Sequence, residues 1–173
     1  MKKVIGLEKI NSLSNNSIFL FQAKLEEVSI NSAITSFGNG VFNRCESLTK
    51  INFSPTGNVS IGSETFYGCK LLPTSELEDL LAKATTIGSE AFRDCELLDD
   101  IVLGPNVTSI GEGAFTGCSS LETITFSTPA PPATLGTATQ GIFGFYGNAT
   151  EPAAPITNII LSHTPASEIK VNK

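Results

Sequence analysis

Apolar and polar residues along this chain recur as one long block as well as by local alternation. From Ile110 the order is apolar, Gly, three residues, Phe, two residues, Cys, two residues, Leu, two residues, Ile, one residue, Phe126. The same order recurs upstream. Phe42, Phe66, Phe92 and Phe115 each stand three residues before Cys45, Cys69, Cys95 and Cys118. Leu48, Leu72, Leu98 and Leu121 follow the cysteines by three, and Gly38, Gly62, Gly88 and Gly111, each after an apolar residue, lead the Phe by four. A fifth, weaker copy comes first, with Phe19, Leu25, Val28 and Ile30 in the same spacing and Gln22 in the Cys slot. A period of about 23 residues, kept at so many positions, predicts a solenoid in which each coil of chain is one rung.

The positions inside the unit predict its parts. Ile51-Asn52-Phe53, Ile101-Val102-Leu103 and Ile124-Thr125-Phe126 place one outward residue between two inward ones, as a short half-buried strand does. Stacked rungs pair these strands in parallel, about 4.8 Å apart. The repeated Leu fills the core beside them. The repeated Phe, after Val41, Thr65, Ala91 or Ala114, fills it from the opposite wall. The repeated Gly belongs either to a turn with positive φ or to a place where backbones approach too closely for a Cβ. One Cys per rung predicts a ladder of parallel inward thiols acting as small buried hydrophobes. A metal site needs ligands that converge, usually as Cys-x-x-Cys pairs, and parallel side chains are poorly aimed for a disulfide.

Two stretches leave the pattern. After Leu72, Ser75 replaces the expected Ile, and Leu77, Leu80, Leu81 and Ala84 follow helical spacing. The prediction is a short helix near 75–84, with Ser75 and Glu78 as a capping box and its apolar face against the solenoid. From Ser127 the composition changes to a Pro-rich turn, a degenerate last rung with Leu135 and Phe143, and a strand from Ile156 to Leu161. The expected organisation is therefore a lead-in or cap over 1–17, about five rungs over 18–126, and an irregular cap over 127–173.

Charge and chemistry narrow the function. Eleven Lys and Arg against 17 Asp and Glu leave the 173-residue chain at −6, which disfavours a nucleic-acid partner. No apolar run approaches the roughly 20 residues of a membrane span, so membrane insertion is not expected. The start carries Lys2 and Lys3, but Glu8 and Lys9 interrupt any signal-peptide core. With His163 the single histidine and the cysteines assigned to the interior, no nucleophile, base and orienting group can be assembled. The chain is therefore expected to be no enzyme and to use no metal or cofactor. Asp99 and Asp100 are consecutive at a strand entrance and so point in different directions.

The outward strand positions and their polar lead-ins make one readable face. It comprises Glu26, Glu27 and Ser29, then Thr49, Lys50 and Asn52, then Asp99, Asp100 and Val102, then Glu122, Thr123 and Thr125. Five acids and one lysine give this face most of the net charge, which suits a basic protein partner as well as simple solubility.

The unit Ile110-Gly111-Glu112-Gly113-Ala114-Phe115-Thr116-Gly117-Cys118-Ser119-Ser120-Leu121-Glu122-Thr123-Ile124-Thr125-Phe126 closely resembles the BspA-like, or Treponema-type, leucine-rich repeat. The likeness runs from about Ile18 to Phe126, and Pro131-Pro132-Ala133-Thr134-Leu135-Gly136 resembles the family's usual ending. This resemblance implies an α/β-type leucine-rich repeat solenoid coiled right-handed, with a short parallel sheet. It further implies a bacterial cell-surface or secreted protein that binds or adheres to host or matrix proteins, without catalytic residues. Two other functions fit the residues. One is a structural spacer within a larger surface protein. The other is a glycan-binding module, prompted by Tyr67 and the aromatics at 143–146.

Overall fold

The computed structural model describes residues 3–7, 9, 10 and 12–127, and beyond them the strand segments 134–135, 140–141, 144–145, 158–161 and 169–170. The Pro-rich turn at 129–133, Phe143 and His163 lie outside the described residues. The chain is a parallel-strand solenoid of about five turns with rungs of about 23 residues and one small helix.

Most coils lay down two short strands before the Phe turn. The first three contribute β1 (Lys3–Leu7), then β2 (Leu25–Ile30) and β3 (Ser36–Phe37), then β4 (Lys50–Asn52) and β5 (Val59–Ile61). The next holds a 3-10 turn (Thr74–Glu76), helix α1 (Glu78–Lys83) and β6 (Ala84–Ile87). It is followed by β7 (Ile101–Leu103) and β8 (Ser109–Ile110), then β9 (Thr123–Phe126) and β10 (Thr134–Leu135). Later come the antiparallel pair β11 (Gln140–Gly141) and β12 (Gly144–Phe145), and then β13 (Asn158–Leu161) and β14 (Ile169–Lys170).

The repeated Leu-x-x-Ile strands form the expected wall, but in two pieces. One sheet has the order β1-β2-β4 and the other β14-β13-β9-β7, with α1 in the gap between β4 and β7. A second wall, not anticipated from the pattern, is the parallel sheet β10-β8-β6-β5-β3. It is built from the short segments ending at the repeated apolar-Gly step, where Phe37 pairs with Ile61, Ile61 with Ile87, and Ile87 with Ile110. With two to four residues per rung these strands are too short for a period of two to stand out. Leu135 stands opposite Ile110, and Asn158–Leu161 runs beside Thr123–Phe126, so the degenerate rung and the last strand both fall in register.

The Phe turns form the third side. The amides of Phe19, Phe42, Phe66 and Phe92 each donate 2.8 Å to a carbonyl of the next rung, that of Val41, Thr65, Ala91 and Ala114 respectively. The rings of Phe19, Phe42, Phe66, Phe92 and Phe115 follow this ladder inside, stacked at centroid spacings of 5.4, 5.5, 5.4 and 5.6 Å. Each buried ring removes enough apolar surface from water to contribute about 2–3 kcal/mol, and each stacked pair adds about 1 kcal/mol. Every rung passes through left-handed backbone twice, two residues after the Gly position and two after the Phe. Gly40, Gly68, Gly113 and Gly117 occupy four of these places, whereas Arg44, Glu64, Glu90 and Asp94 hold φ of 55–57°. A non-glycine residue there costs on the order of 1 kcal/mol, which the neighbouring rungs' hydrogen bonds offset.

The four cysteines are free, buried and one per rung, as the spacing predicts. They do more than fill space. The thiols of Cys45, Cys69, Cys95 and Cys118 donate to the carbonyls of Phe19, Phe42, Phe66 and Phe92 in the preceding rung, at 3.1–3.3 Å. Burial pushes the Cys69, Cys95 and Cys118 thiols up from their ordinary pKa, and for Cys69 and Cys95 a neighbouring thiol adds to it. They therefore stay protonated and unreactive in the folded chain.

The repeated Gly takes the second of its two readings. Gly38, Gly62, Gly88 and Gly111 are not in left-handed backbone. A Cβ on Gly62 would meet the Gly38 carbonyl carbon at 2.7 Å, and one on Gly88 would meet that of Gly62 at 2.5 Å. Rungs touch there backbone to backbone. Gly62→Ala is therefore expected to destabilise the chain by about 2–3 kcal/mol, since backbone must shift. Gly57→Ala, with open space around its Cβ, is expected to stay within about 0.5 kcal/mol. Urea unfolding of the two variants measures the difference.

The thiol ladder makes stability depend on pH. Below about pH 8.5 the thiols are protonated in the folded and unfolded chain alike. Above that the unfolded chain releases protons that the folded chain keeps, so stability falls as pH rises. Each of the three thiols is expected to cost about 1.4 kcal/mol between pH 7.5 and 9.5. Urea unfolding at the two pH values reads the slope, and Cys118→Ala should remove about a third of it.

Candidate functional site

The outward residues of the strand wall come from three neighbouring groups. In the first, Glu27 stands opposite Lys50 and Ser29 opposite Asn52 across the β2–β4 pair. The Asn52 amide donates to Glu27 Oε1 and to Ser29 Oγ, both at 3.0 Å, and Lys50 Nζ lies 3.7 Å from Glu27 Oε1. The Thr49 hydroxyl donates to the Glu26 carbonyl at 3.1 Å. These residues are tied to one another, so Lys50 offers little free positive charge.

The second group belongs to the helix rung. Leu77, Leu80, Leu81 and Ala84 are all buried, as their helical spacing predicts. The capping box does not form. Glu78 begins the helix itself, Leu77 takes the N-cap position, and no side chain bonds to the cap. A 3-10 turn consumes Thr74–Glu76 first, because these side chains bond to the neighbouring strands instead. Glu76 Oε2 accepts the Ile51 amide at 3.0 Å, and Thr74 Oγ1 accepts the Asp99 amide at 2.9 Å. Ser54 Oγ donates to Asp79 Oδ2 at 2.6 Å, and the Gly104 amide donates to the Leu81 carbonyl at 3.1 Å. A helix cannot continue a parallel ladder, so side chains and one helix carbonyl take over the strand-edge hydrogen bonds.

The third group lies on β7 and β9. Val102 pairs with Thr125 and Ile101 with Ile124, while Thr123 faces Asn158 of β13. Asp99, Asp100 and Glu122 are exposed in the lead-ins. Asp100 lines a cleft of about 460 Å³ with Thr74, Glu78, Asp79, Leu81, Ala82 and Val102, and Asp99 does not line it. A second cleft of about 330 Å³ lies on the other side of α1, against Asn52, Ser54 and Glu76.

The predicted residues therefore fall into two clusters, Glu26, Glu27, Lys50 and Asn52 in one and Asp99, Asp100, Glu122, Thr123 and Thr125 in the other. Between them the helix rung inserts Glu76, Glu78 and Asp79, of which the sequence pattern placed only Glu78, as a capping-box partner. Their acidity was visible, but their membership of this face depends on where the helix docks. Among the described residues, no group of three His, Cys, Asp or Glu is placed to hold a metal ion. No helix among them is long and apolar enough to cross a membrane.

Tyr67 stands apart from this face. The guanidinium of Arg44, from the preceding rung, lies 5.1 Å from its ring centroid, and that of Arg93, from the following rung, lies 5.4 Å away. Arg44 also lies 5.9 Å from the Phe21 ring. Tyr67 is therefore covered by cation–π partners and does not present a stacking platform for a sugar.

Comparison with known proteins agrees with this architecture. The family described as BspA type leucine rich repeat region matches residues 11–131 in six copies. A leucine-rich repeat protein from Bacteroides ovatus ATCC 8483 is 31% identical with a TM-score of 0.61, covering 80% of this chain and 34% of that one. A leucine-rich repeat protein from T. pallidum is 25% identical with a TM-score of 0.55, covering 70% of this chain and 51% of that one. The chain thus spans about a third of the length of the first and about half of the second. No curated protein matches it.

The side-chain bonds that replace the ladder at the helix rung can be tested directly. Thr74→Val keeps the shape but leaves the Asp99 amide without its acceptor, and should cost about 1–2 kcal/mol. Thr74→Ser, which retains the hydroxyl, should cost less, and equilibrium unfolding of both variants measures the contrast.

Proposed function

The chain belongs to the BspA-type leucine-rich repeat family, and from that premise we propose that it is a non-catalytic protein-binding module acting in adhesion. Its place is the cell surface or the exterior of a bacterium, and its partner is a host or matrix protein with a basic surface. The observation that carries this reading is the run of carboxylates along one side: Glu26, Glu27, Glu76, Glu78, Asp79, Asp99, Asp100 and Glu122. Among the outward residues of β2, β4, β7 and β9 the one lysine, Lys50, already pairs with Glu27.

Leucine-rich repeat domains generally mediate protein–protein binding, and a repeated rung suits that task. Each coil adds outward side chains at a fixed spacing, so a partner meets an extended surface instead of a single pocket. Exposed carboxylates of this kind steer an oppositely charged partner and set specificity more than they add raw affinity. Such binding is expected to weaken as salt rises, because exposed charges are screened over about 8 Å at physiological ionic strength.

The test uses the whole chain against a panel of basic and acidic matrix proteins at 50 and 300 mM salt. The expected result is saturable binding to basic members, weaker at high salt. The triple variant Asp99→Lys, Asp100→Lys, Glu122→Lys should lower that affinity at least tenfold. Unchanged binding by the variant rejects this face. A panel without any saturable binding supports the spacer role within a larger surface protein instead.

A further inference from the structure

The cleft between α1 and β7 differs from the rest of the acidic face in having an apolar floor. Val102 occupies the outward position where the other strands carry Ser29, Asn52 and Thr125, and it is 56% exposed. Ala82 continues the apolar surface on the helix side, with Leu81 buried beneath it. Glu78 and Asp79 from α1 and Asp100 from the β7 lead-in complete the lining with negative charge. The described ion pairs join Lys50 to Glu27, Lys70 to Glu96, and Arg93 to Glu90 and Asp94, and none involves a carboxylate of this cleft. Asp79 has one oxygen engaged by Ser54.

An exposed apolar floor under carboxylates has the chemistry of a long cationic side chain in reverse. A Lys or Arg buries its methylene stem on apolar surface while its charged end seeks an acidic partner. A small metal ion does not suit the lining, since no three ligating groups converge there. The smaller cleft on the other side of α1 lacks such a floor, because Ile51 and Phe53 are buried and Asn52, Ser54 and Ser75 supply the exposed surface.

The geometry points to the α1–β7 cleft as the anchor for a single Lys or Arg side chain of the protein partner. This rests on reading the strand face as the binding surface, and it names what the partner inserts there. The stem lies along Val102 and Ala82, and the cationic end reaches a carboxylate at the rim of the cleft, where Glu78 and Asp79 stand on the α1 side and Asp100 on the β7 side. The helix rung thereby has a role in recognition. By replacing a strand, it opens a notch in an otherwise regular wall, and the outward Val102 gives that notch its apolar floor.

The probe is N-acetyl-arginine amide, titrated into the isotope-labelled whole chain at low salt and followed by NMR. The expected result is saturable shifts confined to Leu81, Ala82, Val102 and their neighbours. The uncharged isostere N-acetyl-citrulline amide should produce no saturable change. Glu78→Gln and Val102→Ser, both at exposed positions, should each weaken arginine binding at least threefold while the melting temperature moves by no more than a few degrees. Shifts that do not saturate, that spread evenly over the acidic face, or that citrulline reproduces would overturn the anchor. If arginine binds in the cleft while no basic protein binds the chain, the protein-binding reading fails and the cleft stands as a cation-binding notch. If a basic protein binds and Glu78→Gln with Val102→Ser leaves its affinity unchanged, the face stands and the anchor is overturned.

Discussion

The rest of this molecule depends on rungs approaching one another backbone to backbone, in constant register. The amides of the Phe turns meet the next rung's carbonyls at 2.8 Å, and the Phe rings stack at 5.4–5.6 Å. Both spacings hold only if each rung lies directly on the one before it. That is why a Cβ at Gly38, Gly62, Gly88 or Gly111 would collide with main chain. The same register carries each thiol under the carbonyl of the preceding Phe and each strand beside its counterpart. Stability in such an array comes from many equivalent neighbour contacts, each modest by itself.

The helix rung shows how far that constraint can be relaxed. A helix cannot supply the alternating amides and carbonyls of a parallel strand, and the wall splits into two sheets where it enters. Side chains of the helix rung take up part of the exposed edges. Glu76 and Thr74 reach across to Ile51 and Asp99, while Leu77, Leu80, Leu81 and Ala84 keep the core continuous. The replacement preserves the interior and changes the exterior, so the surface becomes individual here. It adds carboxylates to the strand face and opens the two clefts beside α1.

Legibility followed the same division between interior and exterior. The repeated Phe, Leu, Ile and Cys announced the rung, its length and its buried set, and these positions are buried in the structure. The short helix was legible from its apolar spacing. Its start was not, because Ser75 and Glu78 matched a capping signal while Thr74 and Glu76 were drawn to neighbouring strands. The second sheet leaves no clear signal in the sequence because its strands are only two to four residues long. Tyr67 prompted a glycan-binding reading, and only the arginines of adjacent rungs reveal that its ring is already engaged.

By itself the sequence determined the solenoid, because burial in a one-dimensional stack imposes the same residue type at the same point of every coil. It also determined the outward strand residues, since strand geometry alternates sides whatever lies beyond. The tertiary structure alone decided which carboxylates share a face, which glycines are sterically required, and where the wall opens. Those properties depend on contacts between residues a full rung apart, and no local pattern records the distance between them.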